Sequence, residues 1–264
     1  MTIDRPSTTG AKDRVRAQYA SVGDAYVKSV GHATGSDLQR MIERAAPQPT
    51  ERMLDIATGG GHVARVFAPL VAEVVASDLT PEILDHAERS FADLGLTNVT
   101  MAGADAEQLP FPDASFDIVT CRIAPHHFPN PDRFVAEAAR VLRPGGRFVL
   151  VDSTVPEGAA GAFFNRFELL RDRSHVRSLT VDAWVESIRS AGMRVESVES
   201  FAKRHDFNDW TSRSRMTDDD RAILERMMLD AEEAIQRQFA AEVADGKLMG
   251  FSDTKTLFVA RRRA

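Results

Sequence analysis

Glycine and acidic residues follow short apolar runs of the sequence at three places. Residues 54–64 read LDIATGGGHVA, and Asp78 and Asp105 each come at the end of a later apolar run. Glycines at a turn allow a ligand to approach backbone N–H groups closely. Asp78 can accept hydrogen bonds from both hydroxyls of a ribose, Asp105 can accept from an adenine amino group, and the backbone N–H of Ala106 can donate to a ring nitrogen. The pattern therefore predicts a nucleoside-binding site.

A parallel sheet is needed to bring these residues together. Apolar runs alternate with segments of helical periodicity, and the runs cover 52–57, 73–77, 98–102, 116–121 and 147–152. Alternating strands and helices of this length predict parallel strands with helical crossovers on both faces. Ligands bind such sheets outside the carboxyl ends of the strands, near the point where the strand order switches. The glycines and both acids are expected at that edge.

The second half of the chain shows a looser pattern. Residues 193–207 alternate well enough to predict a long strand, and residues 254–260 predict a final strand. Residues 217–241 predict one helix with Thr217 as its cap. The predicted buried stripe of that helix consists of Ile223, Met227, Ala231, Ile235 and Phe239.

The composition excludes several classes of protein. The chain has 264 residues, 33 Lys plus Arg against 39 Asp plus Glu, a net charge of −6 and a single Cys. One Cys can form neither an intrachain disulfide nor a multi-Cys zinc site, and a mildly acidic chain lacks the positive footprint of nonspecific nucleic-acid binding. The sequence shows no apolar leader and no apolar stretch of roughly 18 residues, so we expect no membrane span and a cytoplasmic location.

Four segments of the chain carry a family resemblance. They read LDIATGGGHVA, SDLT, GADAEQLPFPDASFDIVTCRIAPHHF and RVLRPGGRFVLVD. They resemble the class I S-adenosylmethionine-dependent methyltransferases, and in particular the branch that includes the ubiquinone and menaquinone C-methyltransferases. The resemblance covers residues 15–155 well and 156–264 only in general layout. It implies an α/β fold with a Rossmann-like, doubly wound sheet of seven strands, the last antiparallel, with N-terminal helices and a helical insertion before the last strand.

The resemblance also implies the cofactor and its contacts. Gly59 and Gly61 would line the methionine part of S-adenosyl-L-methionine, Asp78 would hold its ribose, and residues 105–106 would hold its adenine. The family's glycine-rich motif usually begins with Gly where this chain has Ala57, a small change that we expect the site to tolerate. The predicted cofactor contacts also include Asp55, Leu79 and Arg122.

Two other interpretations remain open. Gly59, Gly61 and Ala64 also match the G-x-G-x-x-G/A dinucleotide fingerprint, so a nicotinamide-dependent oxidoreductase is one alternative. Asp55 inside the first strand and Asp105 as a second acid weigh against it. A non-catalytic cofactor-binding protein is the other alternative, because a fold does not establish an activity.

The acceptor is expected to be a small molecule that is methylated at oxygen, carbon or nitrogen. His126 and His127 follow the fourth strand, beside the expected place of the reactive methyl group, and one of them could act as a base or contact the substrate. Arg173 and Arg177 could bind an anionic acceptor, and Phe163 could line an apolar pocket. Ordinary packing or a solvated surface is the alternative for all five.

The resemblance and the pattern together suggest how the chain is divided. Residues 1–46 are predicted as an arm and a helical lid that contains Tyr19 and Tyr26, and residues 47–264 as the methyltransferase domain. That domain would comprise a cofactor half at 47–155, acceptor-side elements at 156–253 and a final strand at 254–262. No metal site is expected, because Arg122 rather than a carboxylate follows the fourth strand. A monomer and a homodimer both remain open.

Overall fold

A computed structural model describes the chain at residues 8–20, 35–214 and 216–263, and its central feature is an eight-stranded mixed sheet. The strands are β1 (Arg52–Ile56), β2 (Glu73–Asp78), β3 (Val99–Gly103), β4 (Phe116–Arg122), β5 (Leu142–Thr154), β6 (Met193–Asp206), β7 (Glu242–Ala244) and β8 (Lys247–Arg262). Their order is β3-β2-β1-β4-β5-β8-β6, with β7 paired to β8. β1 to β5 run parallel, and β8 runs antiparallel to both β5 and β6. The predicted sheet with an antiparallel last strand is confirmed, and β7 adds a short strand to it.

Helices connect the strands on both faces of the sheet. They are α1 (Thr8–Ala20), α2 (Ser36–Ala45), α3 (His62–Phe67), α4 (Pro81–Asp93), α5 (Pro131–Val141), α6 (Gly158–Arg171), α7 (Val181–Ser190), α8 (Phe207–Ser212), α9 (Asp218–Leu229) and α10 (Glu233–Gln238). Short 3₁₀ turns lie at Ala68–Leu70 and Pro125–His127.

Alternate residues of the central strands face two separate cores. Leu54 and Ile56 of β1 pack in a core with α5 and α7, whereas Met53 packs in a core with α2, α3 and α4. Successive side chains of a strand point to opposite faces, so a strand that is covered on both faces must be apolar throughout. This requirement explains the continuous apolar runs in the sequence.

The strand order reverses at β1. This strand pairs with β2 on one side and with β4 on the other, in parallel register on both. The helices that follow β1 and β4 therefore cover opposite faces, and their departure leaves a crevice at the carboxyl ends of the two strands. Ligands of open α/β sheets bind in such a crevice.

The helix predicted over 217–241 is wrong in its length, and its predicted buried stripe is confirmed only in part: Phe239 is buried, and Met227 and Ile235 are partly buried beside it. The structure has two helices instead, α9 and α10, which are separated at residues 230–232. The side chain of Thr217 caps α9 as predicted, accepting from the backbone N–H of Asp220 at 3.1 Å. Leu224 and Met228 are the buried residues of α9, whereas Ile223 is 58% exposed. α9 packs against α6 and β8. Its buried residues, Leu224 and Met228, each follow a predicted one, Ile223 and Met227, by one position.

The final strand begins seven residues earlier than predicted, at Lys247 instead of Thr254. The added part pairs with the end of β6 and with β7, and it closes a third core beneath α6, α8 and α9. The segment is polar at several positions, which is why its sequence gave a weak strand pattern. No helix within the described ranges is long and apolar enough to cross a membrane.

Candidate functional site

A cavity lies at the switch point, above the carboxyl ends of β1, β2 and β4. All of the predicted cofactor contacts except Gly61 line it: Asp55, Ala57, Gly59, Asp78, Leu79, Asp105, Ala106 and Arg122. His127 also lines the cavity, and Lys12 and Val15 of α1 reach it from the N-terminal side. The residues that the sequence places at strand ends are thus brought together in one wall.

The glycine-rich turn after β1 uses left-handed backbone at three positions. The φ angles are +53° at Ala57, +53° at Gly59 and +76° at Gly61. Glycine adopts this conformation without steric cost, so Ala57 carries backbone strain at its position in the turn. A Cβ atom on Gly61 would lie 2.3 Å from the ring of Phe91 in α4. Gly61 therefore shapes the turn by allowing α4 to approach it.

Asp78 connects the end of β2 to this turn. Its Oδ2 accepts from the backbone N–H of Gly59 at 3.0 Å, and its Oδ1 accepts from that of Thr80 at 3.0 Å. Burial raises the pKa of Asp78, although both of these N–H groups favour the ionised form. Asp78 also lines the cavity, and a carboxylate oxygen can accept more than one hydrogen bond, so this side chain can accept from a ligand as well.

Asp55 is buried beneath the turn. It accepts from the hydroxyl of Thr58 at 2.6 Å and from the hydroxyl of Thr120 in β4 at 2.7 Å. Burial raises its pKa to about 6, against the effect of both hydroxyls. Asp55 thus holds the turn to the neighbouring strand as well as lining the cavity.

Asp105 and Glu107 share a partner that the sequence did not suggest. Nζ of Lys12 lies 2.6 Å from Oδ2 of Asp105 and 2.8 Å from Oε2 of Glu107. Glu107 also accepts from the backbone N–H of Asn130 at 2.7 Å. The two ion pairs of Lys12 therefore hold helix α1 against this end of the cavity.

Strained backbone follows the end of β4. Ile123 lines the cavity with φ of +53°, a conformation that is rare for a β-branched residue. Its backbone N–H donates to the carbonyl of Val151 at 2.8 Å, which holds the strained position against β5. Strain of this kind is concentrated at functional sites.

The two adjacent histidines have different surroundings. His127 lines the cavity, and its Nδ1 lies 3.2 Å from Oγ of Ser174. His126 turns toward β5, with Nδ1 2.6 Å from Oδ1 of Asp152. Burial lowers the pKa of His126 well below its usual value and raises that of Asp152 to about 7, so His126 is neutral and Asp152 only partly ionised at neutral pH.

Comparison with known proteins identifies the family. A family model described as a methyltransferase domain matches residues 54–150. The uncharacterized methyltransferase YcgJ of Bacillus subtilis is 38% identical over 182 residues, which is 69% of this chain and 72% of YcgJ. The chain belongs to the class I S-adenosylmethionine-dependent methyltransferases.

Solved structures and other relatives agree with the assignment of this chain to the methyltransferase family. A protein of Bacillus halodurans C-125 assigned as a methyltransferase superposes with a TM-score of 0.85 at 42% identity, covering 87% of this chain and 100% of its own. The crystal structure of YcgJ superposes with a TM-score of 0.84 at 32% identity, covering 86% of this chain and 98% of its own. A demethylmenaquinone methyltransferase of Deinococcus radiodurans is 37% identical over 62% of this chain and 72% of its own length.

The other predicted acceptor residues of the methyltransferase lie away from the cavity wall. Arg173 and Arg177 are exposed on the segment after α6. Phe163 packs in the third core, where its ring stacks on Phe167 and Phe239 at centroid distances of 6.0 and 6.2 Å. Residues 1–7 and 21–34 of the predicted arm and helical lid, including Tyr26, lie outside the described residues, as does the side chain of Tyr19.

Sequence reasoning missed several residues around the cavity of the methyltransferase. Lys12 and Ser174 lie in no recognised motif, and Glu107 lies in a quoted segment without having been singled out there; all three make contacts with residues far away in the chain. Among the described residues, no group of three or more His, Cys, Asp or Glu side chains is arranged to hold a metal ion.

Proposed function

We propose that this protein transfers a methyl group from S-adenosylmethionine to a small-molecule acceptor. The observation that carries this proposal is the position of Asp78, which lines the cavity at the end of β2 and accepts from the backbone N–H of Gly59 in the glycine turn. A carboxylate at the end of this strand can accept hydrogen bonds from the hydroxyls of a ribose. When bound, the cofactor supplies an electrophilic methyl group on a sulfonium sulfur.

The charge of the wall supports this cofactor over a dinucleotide. Asp55, Asp78, Asp105 and Glu107 line the cavity, and Lys12 and Arg122 are the cations described there. Arg122 is itself paired with a buried acid, Asp37. A wall with an excess of carboxylates favours a sulfonium and an ammonium group and disfavours a pyrophosphate.

The helix after the glycine turn gives further support. Dinucleotide enzymes place the pyrophosphate on the N-terminus of a helix that follows the glycines. Here that helix, α3, has only six residues, and Asp55 lies buried beneath the turn. A buried carboxylate so close to a pyrophosphate would repel it.

The acceptor would reach the methyl group from the side of His127. This residue lines the cavity just after β4, whereas His126 is directed to Asp152. The main task of the protein here is to orient the cofactor and the acceptor. Orientation alone can lower the activation barrier of the transfer by up to roughly 7–11 kcal/mol. Several relatives are named for menaquinone or ubiquinone methylation, and a polar, His-lined wall is compatible with a hydroxylated ring.

Calorimetric titration with S-adenosylhomocysteine and with NADH tests the proposal. We expect binding of the former and none of the latter, and at least a tenfold weaker affinity in Asp78→Asn because one acceptor site is lost. Asp85→Asn, an exposed acid on α4, is the matched control and should bind normally. Tight binding of NADH without binding of S-adenosylhomocysteine would overturn the proposal. A screen of small molecules with labelled methyl donor then identifies the acceptor.

A further inference from the structure

Ser174 and Asp172 form a hydrogen-bonded chain that begins at His127, and neither of the two lines the cavity. Oγ of Ser174 lies 3.2 Å from Nδ1 of His127 and 2.5 Å from Oδ1 of Asp172. The backbone N–H of Ser174 donates to the same aspartate oxygen at 2.8 Å. All three side chains are buried, so water does not compete for these contacts. The three groups form a continuous chain from the cavity wall into the protein.

The chemistry of the hydroxyl fixes the direction of these hydrogen bonds. A carboxylate can only accept, and the Ser174 hydroxyl has one proton to donate. That proton goes to Asp172, so the serine oxygen must accept from His127. The proton of the neutral imidazole therefore resides on Nδ1, and Nε2 carries the lone pair.

Asp172 stays ionised throughout the neutral range. Burial opposes its ionisation, but nearby His127 and Arg171 and the hydrogen bonds from Ser174 outweigh burial and lower its pKa to about 2. A negative charge at the end of the chain stabilises the imidazolium that forms when His127 takes up a proton.

The neighbouring imidazoles are not suited to this role. Burial lowers the pKa of His126 well below its usual value and that of His175 to about 3, which disfavours protonation of either ring. Among the described residues, titratable groups that interact with His127 include His126, His175, Asp152 and Asp172. Of the three clustered histidines, His127 is the one that lines the cavity and has an ionised carboxylate behind it.

We infer that Ser174 and Asp172 are positioning residues that hold His127 as a proton acceptor, and that the methyl acceptor carries a proton on its reacting atom. This inference rests on the proposed methyltransferase function. It assigns the substrate to compounds with an acidic hydroxyl or an activated C–H group, as opposed to tertiary amines and thioethers.

The step balances without any further reactant. The nucleophilic atom of the acceptor forms a bond to the methyl carbon, and the bond from that carbon to sulfur breaks with its electron pair left on sulfur. The proton of the acceptor passes to Nε2 of His127 and later to solvent. The sulfonium becomes a neutral thioether, and the released proton carries the positive charge, so the net charge is conserved.

Nitrogen NMR of the histidine side chains tests the positioning without any acceptor. We expect the Nδ1–H form of His127 in the wild-type protein at neutral pH, and a shift toward the Nε2–H form in Ser174→Ala and in Asp172→Asn. Ser178→Ala is the matched control, because Ser178 lies in the same segment, is equally buried and makes no described contact with His127. The Nε2–H form in the wild type, or no change in both variants, would overturn the inference.

Kinetics with the acceptor from the screen provide a second test. Ser174→Ala and Asp172→Asn should lower kcat about 10- to 100-fold, move the acidic limb of the rate profile and leave KM near its wild-type value. Binding of S-adenosylhomocysteine should be unchanged, which separates this inference from the proposed function: lost binding in the wild type contradicts the function, and normal binding with normal kcat in both variants contradicts the inference alone. Turnover restricted to tertiary amines or thioethers would also contradict it.

Discussion

Arg122 and Asp37 form a two-point ion pair between the end of β4 and the first turn of α2. Nε of Arg122 lies 2.5 Å from Oδ2 of Asp37, and Nη2 lies 3.1 Å from Oδ1. The side chains are only 5% and 8% exposed. Because Arg122 lines the cavity, this pair ties the helix at residues 36–45 to the wall of the site.

Breaking this pair should be costly, since it removes the two-point partner of a buried guanidinium. We expect Asp37→Asn to reduce the free energy of unfolding by about 3–5 kcal/mol in urea titrations. The control is Asp209→Asn, which removes an exposed ion pair with Arg213 and should cost less than about 1 kcal/mol. Equal effects of the two substitutions would show that burial does not strengthen the Arg122 pair.

Gly61 should tolerate substitution less well than a glycine with the same backbone in open space. Gly145 has φ of +79° with nothing within 4 Å of an added Cβ, whereas Gly61 has φ of +76° and faces Phe91. We expect about 1 kcal/mol of lost stability for Gly145→Ala and about 1–3 kcal/mol more for Gly61→Ala. Thermal unfolding measures both. The additional substitution Phe91→Leu should recover part of the loss at Gly61, and a failure to do so would locate the strain elsewhere.

Lys12 should compete with the cofactor for Asp105. Its ammonium group occupies an aspartate oxygen that could accept from an adenine amino group. The contact is partly exposed and therefore worth at most about 1 kcal/mol, so Lys12→Gln should bind S-adenosylhomocysteine about two- to fivefold more tightly. Arg16→Gln changes an exposed charge on the same helix and serves as the control. Weaker binding by Lys12→Gln would mean that the lysine supports the ligand instead.

His175 should make the protein sensitive to acid. Burial, together with nearby His126, lowers its folded pKa to about 3, whereas an unfolded histidine takes up a proton near 6.5. The unfolded state then binds the additional proton, and stability from this group is lost as the pH falls from about 6.5 toward 3. His175→Gln keeps a donor for the contact with Asn165 and cannot titrate. Relative to wild type, its folding equilibrium constant should improve about tenfold per pH unit below 6.5; a constant difference between pH 7.5 and 4.5 would contradict this.

Local sequence determined the sheet and the acids at its edge. Asp55, Asp78 and Asp105 each lie in or directly after a strand, and parallel strands end at one edge of the sheet, so their meeting follows from chain order alone. The alternation of buried faces likewise follows from the two-residue period of a strand. The predicted fold therefore needed no knowledge of how helices pack.

Tertiary structure decided which distant side chains complete the site. Lys12 meets Asp105 across 93 residues, Arg122 meets Asp37 across 85, and Ser174 meets His127 across 47. Such contacts depend on how helices and loops dock on the sheet, and no periodic pattern encodes that docking. For the same reason, the face of α9 that is buried could be decided only by its packing against α6. The sequence alone predicted a cofactor site, and the folded chain decided how His127 is oriented beside the cavity at that place.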